Sequence, residues 1–439
     1  MPSQACDVVV IGGGPAGSTI ATLLSRRGWR VTLFEKDRHP RFHIGESLLP
    51  RNMPLLEQLG VMSEIERIGM VKRAVDLTMP ASDAYASLKF SEAFDARNPT
   101  AFQVKRAEFD EVLIRNAEAS GTRVFEGTEV REVTFGDDDR VGVLAADETD
   151  REHVWSCRFL VDASGRQTFL SDRLGLKTRN RRHNSAAIFA HFTGVERRLG
   201  DNAGNISLYW FEHGWFWLIP LRDGVTSVGA VVAPAYLKTR STTIEEFFRG
   251  TIAGCRALAE RMKAATLASP VTATGNYSYQ STSMFGDRFL MVGDAYAFID
   301  PVFSTGVYLA MYGATSGADA VDACLRNPKR QRAYLRRHER LIQRGMRNFS
   351  WFIYRFNRPA VQKLFMSGNE RWDIRRAVIS LLSGDAFSNR RLAVPLMLFK
   401  LIYHAETVTD HIREWLRSER VRALHRETLS ARVAHKSDR

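Results

Sequence analysis

The run Asp7-Val8-Val9-Val10-Ile11-Gly12-Gly13-Gly14-Pro15-Ala16-Gly17 constrains the fold more than any other stretch of the chain. A short apolar segment rich in β-branched residues enters G-x-G-x-x-G, and Ala16 to Leu24 continues in good helix formers. The pattern predicts a buried strand, a tight turn and a helix start. Gly12 permits the turn, Gly14 lets a pyrophosphate approach the backbone, and Gly17 lets the helix pack against the strand. An anion there faces the unpaired N–H groups and positive end of a helix. A second strand, Arg30 to Phe34, ends on Glu35, followed by Lys36. Glu35 lies 18 residues beyond Gly17, close to the spacing of about 20 for an acid that binds a ribose hydroxyl. Strand, helix and acid together specify a dinucleotide site.

At 439 residues the chain has room for two or three packed units of about 100–200 residues each. With 44% hydrophobic and 25% charged residues it reads as globular. The apolar run at Val8–Ile11 is a first strand rather than a signal peptide. Cys6, Cys157, Cys255 and Cys324 lie far apart without C-x-x-C spacing, so neither a disulfide framework nor a metal site is expected. The expected compartment is the cytoplasm. Net charge is +13 overall, but residues 326–439 hold 26 Lys plus Arg against 10 Asp plus Glu, a net of +16. This basic segment fits an acidic protein or an anionic membrane surface, or is a solvated helical face. No zinc-finger, RNP or K-homology pattern supports nucleic acid.

Between Arg38 and Pro50, two prolines and Gly45 predict a structured loop beside the nucleotide, carrying Arg41, Gly45, Glu46 and Ser47. Lys72 stands at the mouth of a strand, and Arg106 opens a helix over 107–119 within reach of a phosphate or ribose. Phe159 to Gly165 is a buried strand ending in small residues, which bring backbone close to a cofactor. From 184 to 232 the pattern is mostly strands, with Trp215 and Trp217 on one face by the period of two. Phe289 to Ala295 is another buried strand, ending on Gly293-Asp294. Pro301 and Gly306 then precede a long helix, a second potential anion site. Beyond Arg326 the chain reads as helical, with apolar runs over 349–356 and 392–403. Both are shorter than the roughly 18 apolar residues of a membrane span. Core packing, a lid over a hydrophobic substrate or a membrane-surface helix all fit them.

The glycine fingerprint with Glu35, the Asp162-Ala163-Ser164-Gly165 strand end and the Gly293-Asp294 strand end resemble the FAD monooxygenase fold of the p-hydroxybenzoate hydroxylase superfamily. Within it the chain resembles the flavin-dependent halogenases over about residues 5–325. Gly45-Glu46-Ser47 is similar to that family's G-E-S/A segment, Trp215-x-Trp217-x-Ile219-Pro220 to its W-x-W-x-I-P signature, and Phe298-x-Asp300-Pro301-x-Phe303-Ser304-x-Gly306 to its F-x-P-x-F-S-x-G signature. The family's catalytic lysine sits in K-x-G/A-A-x-F, to which Lys72-Arg73-Ala74-Val75-Asp76-Leu77 is similar, with Val75 and Leu77 where Ala and Phe are usual. Counting from Pro50 instead puts Arg73 in the slot, and an arginine, effectively never deprotonated, cannot form a chloramine.

The resemblance implies an α/β (α+β) fold with a discontinuous, Rossmann-like FAD-binding domain over 1–75, 100–183 and 275–325. An antiparallel β-sheet substrate domain over 76–99 and 184–274 and a basic C-terminal helical region over 326–439 complete it. It implies FAD, held by Gly12, Gly14, Ala16, Gly17, Glu35, Lys36, Arg41, Gly45, Glu46, Ser47, Arg106, Asp294, Pro301 and Gly306, and reduced by a separate flavin reductase. Chloride or bromide as co-substrate binds the backbone of Thr305 and Gly306. Hypohalous acid then crosses a tunnel lined by Trp215, Trp217, Ile219, Pro220, Phe298 and Phe303 to Lys72, with Ser304 as a second catalytic residue. The substrate is electron-rich: phenolic, pyrrolic or carrier-tethered. An acyl or peptidyl carrier protein is a partner that the basic tail would steer in, through Arg336, Arg337 and Arg340. The alternative is a halogenase-like FAD monooxygenase of secondary-metabolite or lipid biosynthesis that does not halogenate.

Overall fold

The computed structural model describes residues 4–415 except 80–84, 137–138, 181–183, 276–277, 367–372, 388 and 414. Much of the basic tail, 416–439, thus lies outside the described residues.

The apolar segment Val8–Ile11 is buried at all four positions, as a central strand covered on both faces must be. It pairs in parallel with Val31–Glu35 on one side and Phe159–Asp162 on the other. Arg123–Glu126 extends one edge in parallel, and Phe289–Met291 the other, with Phe285–Gly286 as an antiparallel edge strand. The strand ends singled out in the sequence, Ile11, Glu35, Asp162 and Met291, therefore finish on one side of a six-stranded sheet. In open sheets of this kind, ligands bind beyond the carboxyl ends of the strands. The helix Pro15–Ser25 starts there, with proline in its first turn, where a missing N–H costs nothing.

A second, eight-stranded sheet is antiparallel apart from one parallel pair, Ile206–Phe211 with Ala74–Thr78. Its strand Gly214–Pro220 splits by alternation between two cores. Trp215, Trp217 and Ile219 join the main core beside the nucleotide sheet. Phe216 and Leu218 face a separate core built with Phe248, Ile252 and Leu258 from the helices Ile244–Ala253 and Arg256–Arg261.

Beyond the second sheet the chain runs as helices, Thr305–Arg326, Gln331–Ile353, Pro359–Met366 and Ile374–Leu382, with a further helix over 393–413. The two apolar runs have different fates. Phe349, Phe352, Ile353 and Phe356 are buried, Phe356 against Trp210, Trp215 and Phe303. In the last helix Leu396 and Phe399 turn inward while Val394, Met397 and Leu401 stay exposed. Among the described residues, no helix is long and apolar enough to cross a membrane.

Candidate active site

The glycine loop is closed so tightly that side chains are excluded. A Cβ on Gly17 would stand 1.8 Å from the Gly12 carbonyl oxygen, and Gly12 itself has φ +98°. Glu35 folds its carboxylate back over this loop, accepting from the Gly13 N–H at 2.7 Å and from the Asp37 N–H at 2.9 Å. Arg41 lies across it, 3.5 Å from Glu35 and 3.5 Å from Asp110. Ala16 is buried in the helix start, whereas Lys36 is exposed beside the loop.

A cavity lies between the two sheets. Gly45, Glu46, Ser47, Arg106, Asp294 and Pro301 line one part of it. Trp215, Trp217, Ile219, Phe298, Ser304 and Gly306 line the rest. Arg106 shapes the loop rather than standing free: it grips Asp110 through two hydrogen bonds of 2.8 and 2.9 Å and donates to the Ile44 carbonyl at 2.8 Å. Burial pushes the Asp294 carboxyl up to about 6, against the pull of Arg166 and Arg106. His43, whose Nδ1–H donates to the Ile44 carbonyl at 2.7 Å, is held neutral: burial, then Arg106, lowers it to about 4. Glu46 accepts from His191 Nε2–H at 2.8 Å through one oxygen. Its other oxygen, and the Nε of Arg41, are buried without a hydrogen-bond partner. Buried polar atoms are normally satisfied, so such unmatched groups around a glycine cradle fit a polar, phosphate-bearing cofactor such as FAD.

The helix Thr305–Arg326 points its N-terminus at this cavity, preceded by Ser304 in a left-handed conformation, φ +56°. A Cβ built on Gly306 would meet nothing within 4 Å, so the backbone there opens onto free space. Thr305 is buried and does not line the cavity.

Lys72 ends the short strand Met70–Lys72 and is wholly buried. Its Nζ donates to the Ser47 Oγ at 2.9 Å and the Leu48 carbonyl at 3.0 Å, and sits 5.2 Å from the Phe90 ring centre. No carboxylate pairs with it among the described residues. Desolvation lowers its pKa to about 7. The amine thus stands directly behind Ser47, one hydrogen bond from the cavity wall. Arg73 points the other way, side chain half-exposed and 3.7 Å from Asp201.

Two expected tunnel residues are not on the wall. Pro220 falls, by strand alternation, on the face opposite Trp215, Trp217 and Ile219. Phe303 packs instead against Phe356 and Phe365 of the C-terminal helices. Sequence reasoning missed His43, Ile44, Arg166, Ile206, Val302, Val307 and His191. Arg166 had a signal, directly after the small-residue strand end at Gly165. His191 had none, being 145 residues from its partner Glu46.

Residues 5–344 match the family model described as an FAD binding domain. The chain is 31% identical over 431 residues to the 1H-pyrrole-2-carbonyl-[peptidyl-carrier protein] chlorinase of Pseudomonas fluorescens, covering 92% of this chain and 95% of that one. Among solved structures, a myxobacterial chondrochloren halogenase superposes with a TM-score of 0.77 at 32% identity, covering 91% of this chain and 97% of the other. A flavin-dependent brominase superposes with a TM-score of 0.82 at 27% identity, covering 94% and 100%. With the glycine cradle, the lined cavity and these likenesses in agreement, the chain belongs to the flavin-dependent halogenases, FAD enzymes that take a halide as co-substrate.

Proposed function

We propose that this enzyme halogenates an electron-rich pyrrolyl or phenolic acyl group carried on an acyl or peptidyl carrier protein, with Lys72 delivering the halogen. The observation that carries the assignment of Lys72 is its burial: the amine, lowered to about 7, is available as a neutral nucleophile near neutral pH. Reduced FAD with O2 supplies the oxidation of halide to hypohalous acid. The chain's residues do the rest. The first N–H groups of Thr305–Arg326, with Gly306 at the cavity wall, offer the halide an anion site. Trp215, Trp217 and Ile219 keep the passage dry, so that hypohalous acid is not lost to water. Ser47 orients the Lys72 amine, which takes up the electrophilic halogen or holds hypohalous acid by hydrogen bonding.

The carrier-borne substrate is supported by the carrier-protein substrate named for the Pseudomonas relative, which this chain matches nearly end to end, and by the basic charge beyond residue 326. FAD is re-reduced by a separate flavin reductase, since the sequence holds no second nucleotide fingerprint. Four free, buried cysteines suit a reducing cytoplasm.

The test is halogenation of pyrrole-2-carboxyl and hydroxybenzoyl groups, each offered on a holo-carrier protein and as the free acid, with FAD, reductase, NADH and halide. Products from the carrier-borne group alone support the reading. Turnover of the free acids alone removes the carrier from it, and Lys72→Ala that halogenates like wild type removes the lysine.

A further inference from the structure

A cavity of about 380 Å³, separate from the glycine cradle, opens between the helix Gln331–Ile353 and the small sheet formed by Lys177–Arg179, Tyr279–Ser281 and Ala297–Phe298. Arg179 and Arg347 line it together with Thr178, Ser278, Gln280 and Tyr354. Among the described residues no carboxylate lines it and neither arginine has an ion-pair partner. Two guanidinium groups outside any ion pair, beside hydroxyl and amide groups, make an environment that suits an anion. A phosphate accepts from a planar N–H fork on each arginine and from the surrounding hydroxyls.

Position says what the phosphate would belong to. Phe298 lines both this cavity and the flavin cavity. At the other end, Asn180 and Tyr354, joined by a 2.8 Å hydrogen bond, line both this cavity and an open groove edged by Arg355, Arg358 and Lys363. The phosphate environment thus stands midway between a basic outer surface and the wall of the active site. On the helix Gln331–Ile353, Arg336, Arg340 and Arg347 follow one another at spacings of four and seven, so one helix face continues the basic track to the cavity.

Carrier proteins are acidic and hold their acyl group on a pantetheine arm joined through a phosphate. Building on the carrier-borne substrate argued above, we propose that this cavity is the phosphate subsite for that arm, with Arg179 and Arg347 gripping the phosphate and the acyl end directed past Phe298 into the flavin cavity. Coenzyme A thioesters share this chemistry.

The experiment uses the FAD-loaded enzyme and two probes, 4′-phosphopantetheine and pantetheine, with binding read by calorimetry. Wild type is expected to bind the phosphorylated probe at least tenfold more tightly. The Arg179→Gln/Arg347→Gln variant is expected to lose that preference while keeping its FAD content and melting temperature. Equal binding of both probes by wild type, or a preference that survives the double substitution, overturns the subsite. Halogenation of the acyl group on carrier protein, on coenzyme A and as free acid is run beside it. Carrier turnover with a preference unaffected by the arginines sinks the subsite alone. Turnover of the free acid alone sinks the tethered substrate, and with it the arm as ligand. Turnover of the coenzyme A ester without the carrier reassigns the arm's source and keeps the subsite.

Discussion

Lys72 and Ser47, 25 residues apart in the chain, meet through a 2.9 Å hydrogen bond from the lysine Nζ to the serine Oγ. Ser47 faces the flavin cavity and Lys72 stands behind it. The serine is thus the point where the nucleotide-binding loop fixes the direction of a buried amine. Removing one partner of a buried polar group costs about 1–3 kcal/mol. Ser47→Ala is therefore expected to lower the halogenation rate about tenfold or more. Flavin reoxidation, followed by absorbance, is expected to stay within about twofold, because the side-chain hydrogen bond that is lost is the one to the Lys72 amine. Equal loss of both rates would mean that Ser47 acts on the flavin instead.

Arg73 makes the complementary case. Its side chain is half-exposed and, among the described residues, its one ion pair is a loose 3.7 Å contact with Asp201. Surface pairs of this kind contribute about 0–1 kcal/mol. Arg73→Ala is expected to keep halogenation within about twofold of wild type, measured as product per reduced flavin consumed. A loss comparable to that of Lys72→Ala would return the catalytic slot to Arg73.

The lowered lysine pKa also has a stability signature. A lysine at about 7 when folded and 10.5 when unfolded leaves the unfolded chain binding more protons between those values, so stability rises with pH across that window. Its contribution is present above the unfolded value and lost as pH falls through 7. Lys72→Met, which removes the buried charge, is expected to raise the melting temperature relative to wild type at pH 6 and to lose that advantage by pH 10. A pH-independent difference would show that the amine is not desolvated in the folded protein.

Gly17 gives a prediction on cofactor binding. A methyl group there would lie 1.8 Å from the Gly12 carbonyl oxygen, so the loop must open. Overpacking of this kind costs about 1–3 kcal/mol, which corresponds to roughly 5- to 150-fold in affinity. Gly17→Ala is expected to be purified with little FAD and to show that loss in a fluorescence titration, while a melting transition shows that the sheet still forms. Unchanged affinity would contradict the placement of the pyrophosphate.

What the sequence discloses depends on the distance over which each feature is built. The glycine loop, its strand and Glu35 form one continuous segment whose chemistry is set by neighbours, and the structure closes that loop on Gly12 and Gly17. The alternation of Trp215, Trp217 and Ile219 is equally local, and by the same rule it puts Pro220 on the opposite face. The choice between Lys72 and Arg73 needed the pairing of Met70–Lys72 with Ala101–Gln103, which buries one side chain and exposes its neighbour. The packing of Phe303 is set by Phe356 and Phe365, which come from helices that no motif describes. The Glu46–His191 pair and the Arg179–Arg347 cavity are assembled from segments more than a hundred residues apart, beyond the reach of any local pattern.

The most direct test of the central claim compares wild type with Lys72→Met in the presence of FAD, flavin reductase, NADH and bromide, with a hydroxybenzoyl group on a holo-carrier protein as acceptor. Mass spectrometry reads the bromine isotope pattern in the product, and a peroxide assay reads uncoupled turnover. The account predicts brominated product from wild type, and from Lys72→Met the same oxygen consumption with product at least a hundredfold lower. Bromide-independent oxygen insertion into the hydroxybenzoyl group, or undiminished bromination by Lys72→Met, would contradict it.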